Sequence, residues 1–214
     1  MDGRLQAIGM GCGLSATAVF LVSLVWAAAN DPSFALFESY ISDLGVGPQA
    51  HVINAAMVTT GLLTVPFAVL GFLPAMRRSV PAALAAVCLC LVGAFAALAG
   101  LFTEETPDWH SSVSTGVFIS MAGTAIFAWL ALRIDHPLGR WFTELTQVIA
   151  ILGALLFPMV GHPFIETLVV IVAFAWLPIL AVVRLRQLLA GPGAVAQAAR
   201  PPSGRGPLPI ETAK

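Results

Sequence analysis

Charge is what this sequence has least of. Only 10% of its 214 residues are Asp, Glu, Lys or Arg, where a soluble domain carries about a quarter. That scarcity excludes an ordinary cytosolic domain. Ten bases and eleven acids leave a formal net charge of −1. With no global basic field, nucleic acid is not among the expected partners. Cysteine is scarce as well: Cys12, Cys88 and Cys90 all lie inside apolar runs. They form neither a disulfide framework nor a CxxC metal site. The HExxH and HxxxH spacings of a metal-binding helix are absent. So is the apolar/polar alternation of a membrane barrel.

What the chain has instead is apolar length. Hydrophobic residues make up 58% of it, and the mean hydropathy is +0.92. A hydrocarbon core of roughly 30 Å takes about 20 apolar residues per helix. Six runs meet that need, at about 8–29, 49–73, 81–102, 109–132, 145–160 and 164–183. Pro, Gly or charge separates each from the next. Backbone polar groups must pair internally in lipid, so these runs are read as helices. The expected fold is all-α: a polytopic six-transmembrane-helix bundle over residues 1–189. Residues 190–214 are rich in Pro, Gly and Ala, and read as a disordered cytoplasmic tail. Ala27, Ala28 and Ala29 resemble a signal-peptide cleavage site. The first apolar run is longer than an h-region, and its flank carries one acid and one base, so it is read as a retained span.

The bases set an expected orientation. Arg4, Arg77, Arg78, Arg133, Arg140, Arg184, Arg186, Arg200, Arg205 and Lys214 all fall on one side of a six-span layout. The positive-inside rule makes that side cytoplasmic, with both termini in (N-in/C-in), in the inner (cytoplasmic) membrane. Asp31, Glu38, Asp43, Glu104, Glu105, Asp108 and Glu166 gather on the other side. An acidic outer face repels an anionic substrate and suits a cation, a divalent metal, a neutral lipid or a basic partner. Trp26, Tyr40, Trp109, Trp129 and Trp141 mark aromatic belts. Gly9-xxx-Gly13, Gly93-xxx-Ala97 and Gly116-xxx-Ser120 are small-residue faces, read as packing within the bundle. Pro66 and Pro178 are expected to kink their helices.

The informative polar groups lie at the outer ends of the spans. Ser42 and Asp43 sit in the loop before the second helix, and His51 and Asn54 share a face at its start. His110 opens the fourth helix beside Ser111, Ser112 and Ser114. His162 and Glu166 are four apart at the start of the sixth. Two sets follow. Ser42, Asp43, Asn54, His110 and Glu166 form a ligand-binding or structural polar cluster. His51, His110, His162 and Glu166 are a possible donor set for Zn²⁺ or another divalent metal. A metal-bound water there would hydrolyse an ester or amide, with Ser42 or Asp43 assisting. The bland alternatives are a turn cap at Asp43, a solvated His110 and a helix–helix hydrogen bond at Asn54. The middles of the spans carry no charge, only Thr59, Thr60, Thr64, Ser120 and Thr124, which argues against a pump.

The stretch Tyr40-Ile41-Ser42-Asp43-Leu44-Gly45, with Pro48 and Asn54, resembles a prokaryotic six-helix membrane family known as domain of unknown function 998. The likeness continues at Gly100-Leu101-Phe102-Thr103-Glu104 with His110, where Thr103 stands in place of a frequent Pro. It extends to Glu166 and Trp176, covering about residues 10–185. The Ile-Ser-Asp-x-Gly element is also similar to one in the Frag1/DRAM/Sfk1 membrane proteins. The resemblance implies a six-helix bundle with its marked residues on the outer side, and a lipid-related role. A more distant analogy is with ceramidase-like hydrolases, which hold zinc with three His, a Ser and an Asp. This chain has one helix fewer and lacks their paired His. The leading expectation is a non-enzymatic accessory or lipid/ligand-binding protein. Its partners would be membrane lipids and a protein partner or second copy. The alternative is a metal-dependent membrane hydrolase of a lipid ester or amide, and the third is a small-solute transporter.

Overall fold

The computed structural model describes residues 3–76, 79–159 and 161–198. Among the described residues there are six long helices and no strand. They are α1 (Gly3–Ala29), α2 (Ala50–Ala75), α3 (Val80–Leu101), α4 (Pro107–Asp135), α5 (Arg140–Met159, ending in a 3-10 turn, Phe157–Met159) and α6 (Pro163–Ala198). Each is long and apolar enough to cross a membrane, as the six apolar runs require. The boundaries shift where helix ends are polar. α1 starts at Gly3 rather than near residue 8, and α5 at Arg140 rather than near 145. Counting apolar residues clips the interfacial turns, whose long side chains snorkel. α6 runs on to Ala198, into the stretch 190–214 expected as a disordered tail, and the rest of that stretch, 199–214, lies outside the described residues. So do Arg77 and Arg78.

Neighbours in sequence pack side by side from α1 to α5, and α6 returns to α1. The α5–α6 junction is the sparsest in this ring. For brevity, the end carrying connections 30–49, 102–106 and 160–162 is called the acidic end. The end carrying Gly3 and the 136–139 turn is the basic end. In that turn His136 closes α4 in the left-handed region, φ 45°, and its Nδ1 lies 3.0 Å from Thr143 Oγ1.

Two apolar clusters fill the ring. Towards the basic end, Met10, Phe67, Phe72, Leu132, Phe142 and Trp176 are buried together. Towards the acidic end, Phe20, Leu24, Ile41, Leu44 and Ile53 form the second cluster. Phe20 stacks on Phe174 with centroids 4.2 Å apart, which joins α1 to α6.

Helices in lipid gain little from the hydrophobic effect, so close backbone contact must hold them. Glycine makes that contact possible at two crossings. Pro66 lacks an N–H and crowds the preceding turn. The chain answers with a π-helical turn, Phe67–Phe72, so the expected disturbance at Pro66 takes that form. The bulge presses Gly71 against Gly9 and Phe67 against Gly13. Gly9-xxx-Gly13 is therefore a packing face within the bundle. At the second crossing Gly61 of α2 meets the Gly93 carbonyl and Ala97 of α3.

A polar clasp ties the basic end. Arg184 donates from Nη2 to Gln6 Oε1 and from Nη1 to Gln187 Oε1, both at 3.0 Å. Gln187 Nε2 donates to Pro137 O at 3.2 Å, and Gln6 Nε2 to Gly71 O at 3.4 Å. One network thus joins α1, the bulge of α2, the α4–α5 turn and α6.

Gly61→Val tests the α2–α3 crossing. A Cβ at position 61 falls 2.7 Å from Ala97 N and 2.9 Å from Ala97 Cβ. Overpacking of this kind costs about 1–3 kcal/mol, so thermal unfolding in mild detergent should move clearly to lower temperature. Gly11→Ala, whose Cβ meets nothing within 4 Å, should leave the melting curve in place.

Candidate functional site

The 30–49 connection folds over the acidic end around a 3-10 turn, Ile41–Gly45. Its sequence explains its shape. Tyr40 is extended, and its N–H donates to Asp43 Oδ2 at 2.9 Å, so an acid three residues on caps the turn's start. Ile41 and Leu44 point inward and are buried among the apolar side chains of α1 and α2. The Gly45 carbonyl accepts from Asn54 Nδ2 at 2.9 Å. A Cβ on Gly45 would stand 2.9 Å from Asn54 Oδ1, so glycine lets α2 approach. Tyr40 OH donates to Gly161 O at 2.6 Å, which ties the loop to the α5–α6 connection. Asp31 accepts from Ser33 N at 2.9 Å and from Ser33 Oγ at 2.6 Å, in an Asx turn.

α6 and α4 supply the rest. Glu166, in the first turn of α6, is half-buried. The backbone N–H groups of Ile41 and Ser42 face its carboxyl, and Asp43 and Glu104 are near enough to act on it electrostatically. His110, in the first turn of α4, is half-buried too. Its Nδ1 lies 2.8 Å from Phe102 O and its Nε2 3.3 Å from Ser114 Oγ. A carbonyl only accepts, so Nδ1 carries the proton and Nε2 of the neutral ring is the acceptor. His110 is held in place, not loosely solvated.

These groups open onto one cavity of about 280 Å³. Ser42, Asn54, Thr103, His110, Ser114 and Glu166 line it at the acidic end. Beyond them the wall is mostly apolar, with Thr60, Thr64 and Thr124 among its side chains, and reaches Trp176 and Leu177. Trp176 closes the far end: its Nε1 donates to Thr146 Oγ1 at 3.0 Å, and its ring stacks on Phe142 at 5.9 Å.

Four of the five residues expected as a polar cluster, Ser42, Asn54, His110 and Glu166, therefore line a common cavity. Asp43 stands behind the wall, with its carboxylate turned to the Tyr40 N–H. The expected metal set of His51, His110, His162 and Glu166 is not brought together. His51 and His162 are exposed and line no part of the cavity. His162 precedes the first helical residue, Pro163, so the one-face geometry of an i, i+4 pair does not apply to it. Among the described residues no group of three His, Cys, Asp or Glu is placed to hold a metal ion. The sequence carries no signal of the apolar shaft. Ser114 stands out in it only as a neighbour of His110, and Trp176 only through the family likeness.

Six apolar helices around a polar-mouthed cavity define a multi-pass membrane protein. Over residues 14–183 the chain matches the family described as "Protein of unknown function (DUF998)", and it belongs to that family. No curated protein and no solved structure matches it.

Asp43 gives the site a pH signature. Burial pushes its carboxyl above the ordinary carboxylate value, against the Tyr40 N–H bond; repulsion from Glu104 and Asp31 adds to the rise. An acid whose folded pKa is raised contributes stability below its unfolded pKa and loses it as pH rises through the folded value. Asp43→Asn keeps an acceptor for Tyr40 N–H and removes the charge. The wild type should therefore lose more melting temperature than Asp43→Asn between about pH 4 and pH 7. Parallel curves would show that Asp43 does not titrate differently in the folded protein.

Proposed function

We propose that this protein is a non-enzymatic lipid-binding protein of the cytoplasmic membrane. It holds a hydrocarbon chain in the cavity and a polar head group at Ser42, Asn54, His110 and Glu166. One observation carries the reading: a single cavity joins a polar mouth to an apolar shaft that ends at a buried tryptophan. Pockets that bind amphipathic ligands have this division, with apolar walls and a few convergent polar groups. The gathering of bases on one side of the layout supports N-in/C-in, which opens the mouth to the outer face.

The polar atoms support binding over chemistry. Asn54 is committed to Gly45, His110 Nδ1 to Phe102, and Asp43 to Tyr40. His110 Nε2 and the Ser114 hydroxyl are bonded to each other, and Ser42, Thr103 and Glu166 also face the cavity. A metal-dependent hydrolase has less support, because the expected donors stand apart. Transport has less support as well. The mid-span hydroxyls of Thr60, Thr64 and Thr124 donate to Ala16, Thr60 and Ser120 carbonyls at 3.3, 2.8 and 2.8 Å. They are spent on helix carbonyls rather than offered to a passing solute.

Native mass spectrometry of protein released from mild detergent tests this reading. The wild type should retain about one lipid per chain. Ala173→Trp, which fills the shaft, and Ser42→Ala/Glu166→Gln, which strips the mouth, should each weaken retention about tenfold, or roughly 1.4 kcal/mol. Circular dichroism checks that the helices persist. A wild type that retains no lipid, or variants that retain as much, would falsify the reading.

A further inference from the structure

The ring of helices is closed unevenly, and its weak place adjoins the cavity. α5 packs on α4 along its length but touches α6 only sparsely. Among the described residues, two hydrogen bonds bracket the α5–α6 seam. At one edge Trp176 Nε1 bonds to Thr146 Oγ1 at 3.0 Å, with Phe142 stacked beneath the indole. At the other edge the α5–α6 connection is held by Tyr40 OH on Gly161 O at 2.6 Å. Between these bonds Leu152 and Gly153 of α5 and Val169 and Ala173 of α6 line the cavity. Leu152 is also 49% exposed, and a Cβ on Gly153 would meet nothing within 4 Å. Side chains in a packed helix seam are buried and have close neighbours on every side, so this stretch of seam is open.

The dimensions fit one leaflet. From Thr146 to Leu156 α5 rises about 15 Å, at 1.5 Å per residue. That is half of the roughly 30 Å hydrocarbon core. The flanking outer surface is apolar, with Val148, Ile151 and Leu155 exposed at 53%, 48% and 68%. An acyl chain approaching it from the bilayer leaves one apolar surrounding for another. Charge at the head-group end is of one sign. Glu166 lines the mouth, Asp43 and Glu104 lie near enough to act on it, Asp31 lies near enough to act on Asp43, and connections 30–49, 102–106 and 160–162 contain no Lys or Arg.

We infer that a bilayer aminophospholipid, of the phosphatidylethanolamine class, enters the cavity sideways through the α5–α6 window, its ammonium head group meeting the acidic mouth. The inference rests on the lipid-binding reading above and adds a route and a head-group charge to it. Lateral entry spares the head group a passage through hydrocarbon, because chain and head slide in at their own depths. An anionic lipid meets the acids with like charge and is disfavoured.

Trp176 reports from the far end of the cavity. The protein is placed in nanodiscs doped with phosphatidylethanolamine brominated along its acyl chains, and the quenching that Trp176→Phe removes is taken as the Trp176 signal. Brominated phosphatidylglycerol is the comparison lipid. The wild type should be quenched by the aminophospholipid, and about tenfold more of the anionic lipid should be needed. Gly153→Phe and Gly153→Leu, which obstruct the window, should abolish or greatly slow the quenching at an unchanged melting temperature. Gly11→Phe, also in open space but on α1, should not. Tyr40→Phe, which removes the bond to Gly161, should speed exchange of the lipid. Wild-type quenching rates in both Gly153 variants would overturn the window and leave the lipid site standing. Equal quenching by the anionic lipid would overturn the ammonium head group. No quenching of the wild type by either lipid would overturn the inference together with the lipid site.

Discussion

A backbone or side-chain polar group left unpaired in hydrocarbon costs several kcal/mol, because no water is there to take the place of a partner. Most of this structure is arranged around that cost. Thr64, Thr124 and Thr146 return their hydroxyls to carbonyls one turn back. Gln6, buried at one end, is used twice, by the Gly71 carbonyl and by Arg184. The disturbance at Pro66 is absorbed as a π-helical turn, and the Gln6 contact to Gly71 takes up a carbonyl of that same turn. At the acidic end the Tyr40 N–H faces Asp43, and the N–H groups of Ile41 and Ser42 face Glu166. The Ser-Asp-Leu-Gly element is thus a device for ending a loop inside the bundle. Its acid caps the turn, its leucine anchors it, and its glycine admits Asn54.

That arrangement explains what the sequence made legible. Six spans could be counted because membrane thickness sets helix length, and a run of about 20 apolar residues has few other uses. The glycine faces could be recognised because close approach in lipid needs small residues. Polar residues near span ends stood out against an apolar chain, which is why Ser42, Asn54, His110 and Glu166 were found before any geometry was known. Helix ends were less legible, since Gln6, Arg140 and Trp141 belong to helices yet look like loop. Asp43, His51 and His162 have the right chemistry for the cluster, but their directions depend on local backbone. Asp43 turns to its own loop, His51 is exposed, and His162 precedes the helix that would have aligned it with Glu166. The shaft left no mark at all. It is a space bounded mostly by ordinary apolar side chains, and its Thr60, Thr64 and Thr124 read in the sequence only as mid-span hydroxyls.

The same economy gives the active-site-like parts of the mouth a structural use. His110 has an orienting partner, an acceptor nitrogen and a nearby hydroxyl, which are the parts of a base–nucleophile pair. In a loop-covered membrane site those parts also serve to hold α4 against the 102–106 connection. Catalysis would need a further group poised to stabilise developing charge. The acids around Glu166 supply charge of the sign an oxyanion does not want. They suit a ligand that brings its own positive charge.

The weak α5–α6 seam then has a physical logic. Closing it with the residues used elsewhere, Gly against Gly and Ala against backbone, would bury α5 fully and erase the cavity. Leaving it open forfeits van der Waals contact along about 15 Å of helix. Such a loss is tolerable if something apolar of the right length fills the gap, and the bilayer presents acyl chains of that length at that depth. An acyl chain packed between α5 and α6 would restore the missing contacts, so occupancy and bundle stability are coupled by mass action. On that view the lipid completes the wall, and Thr146–Trp176 and Tyr40–Gly161 keep the frame in shape while the place is empty.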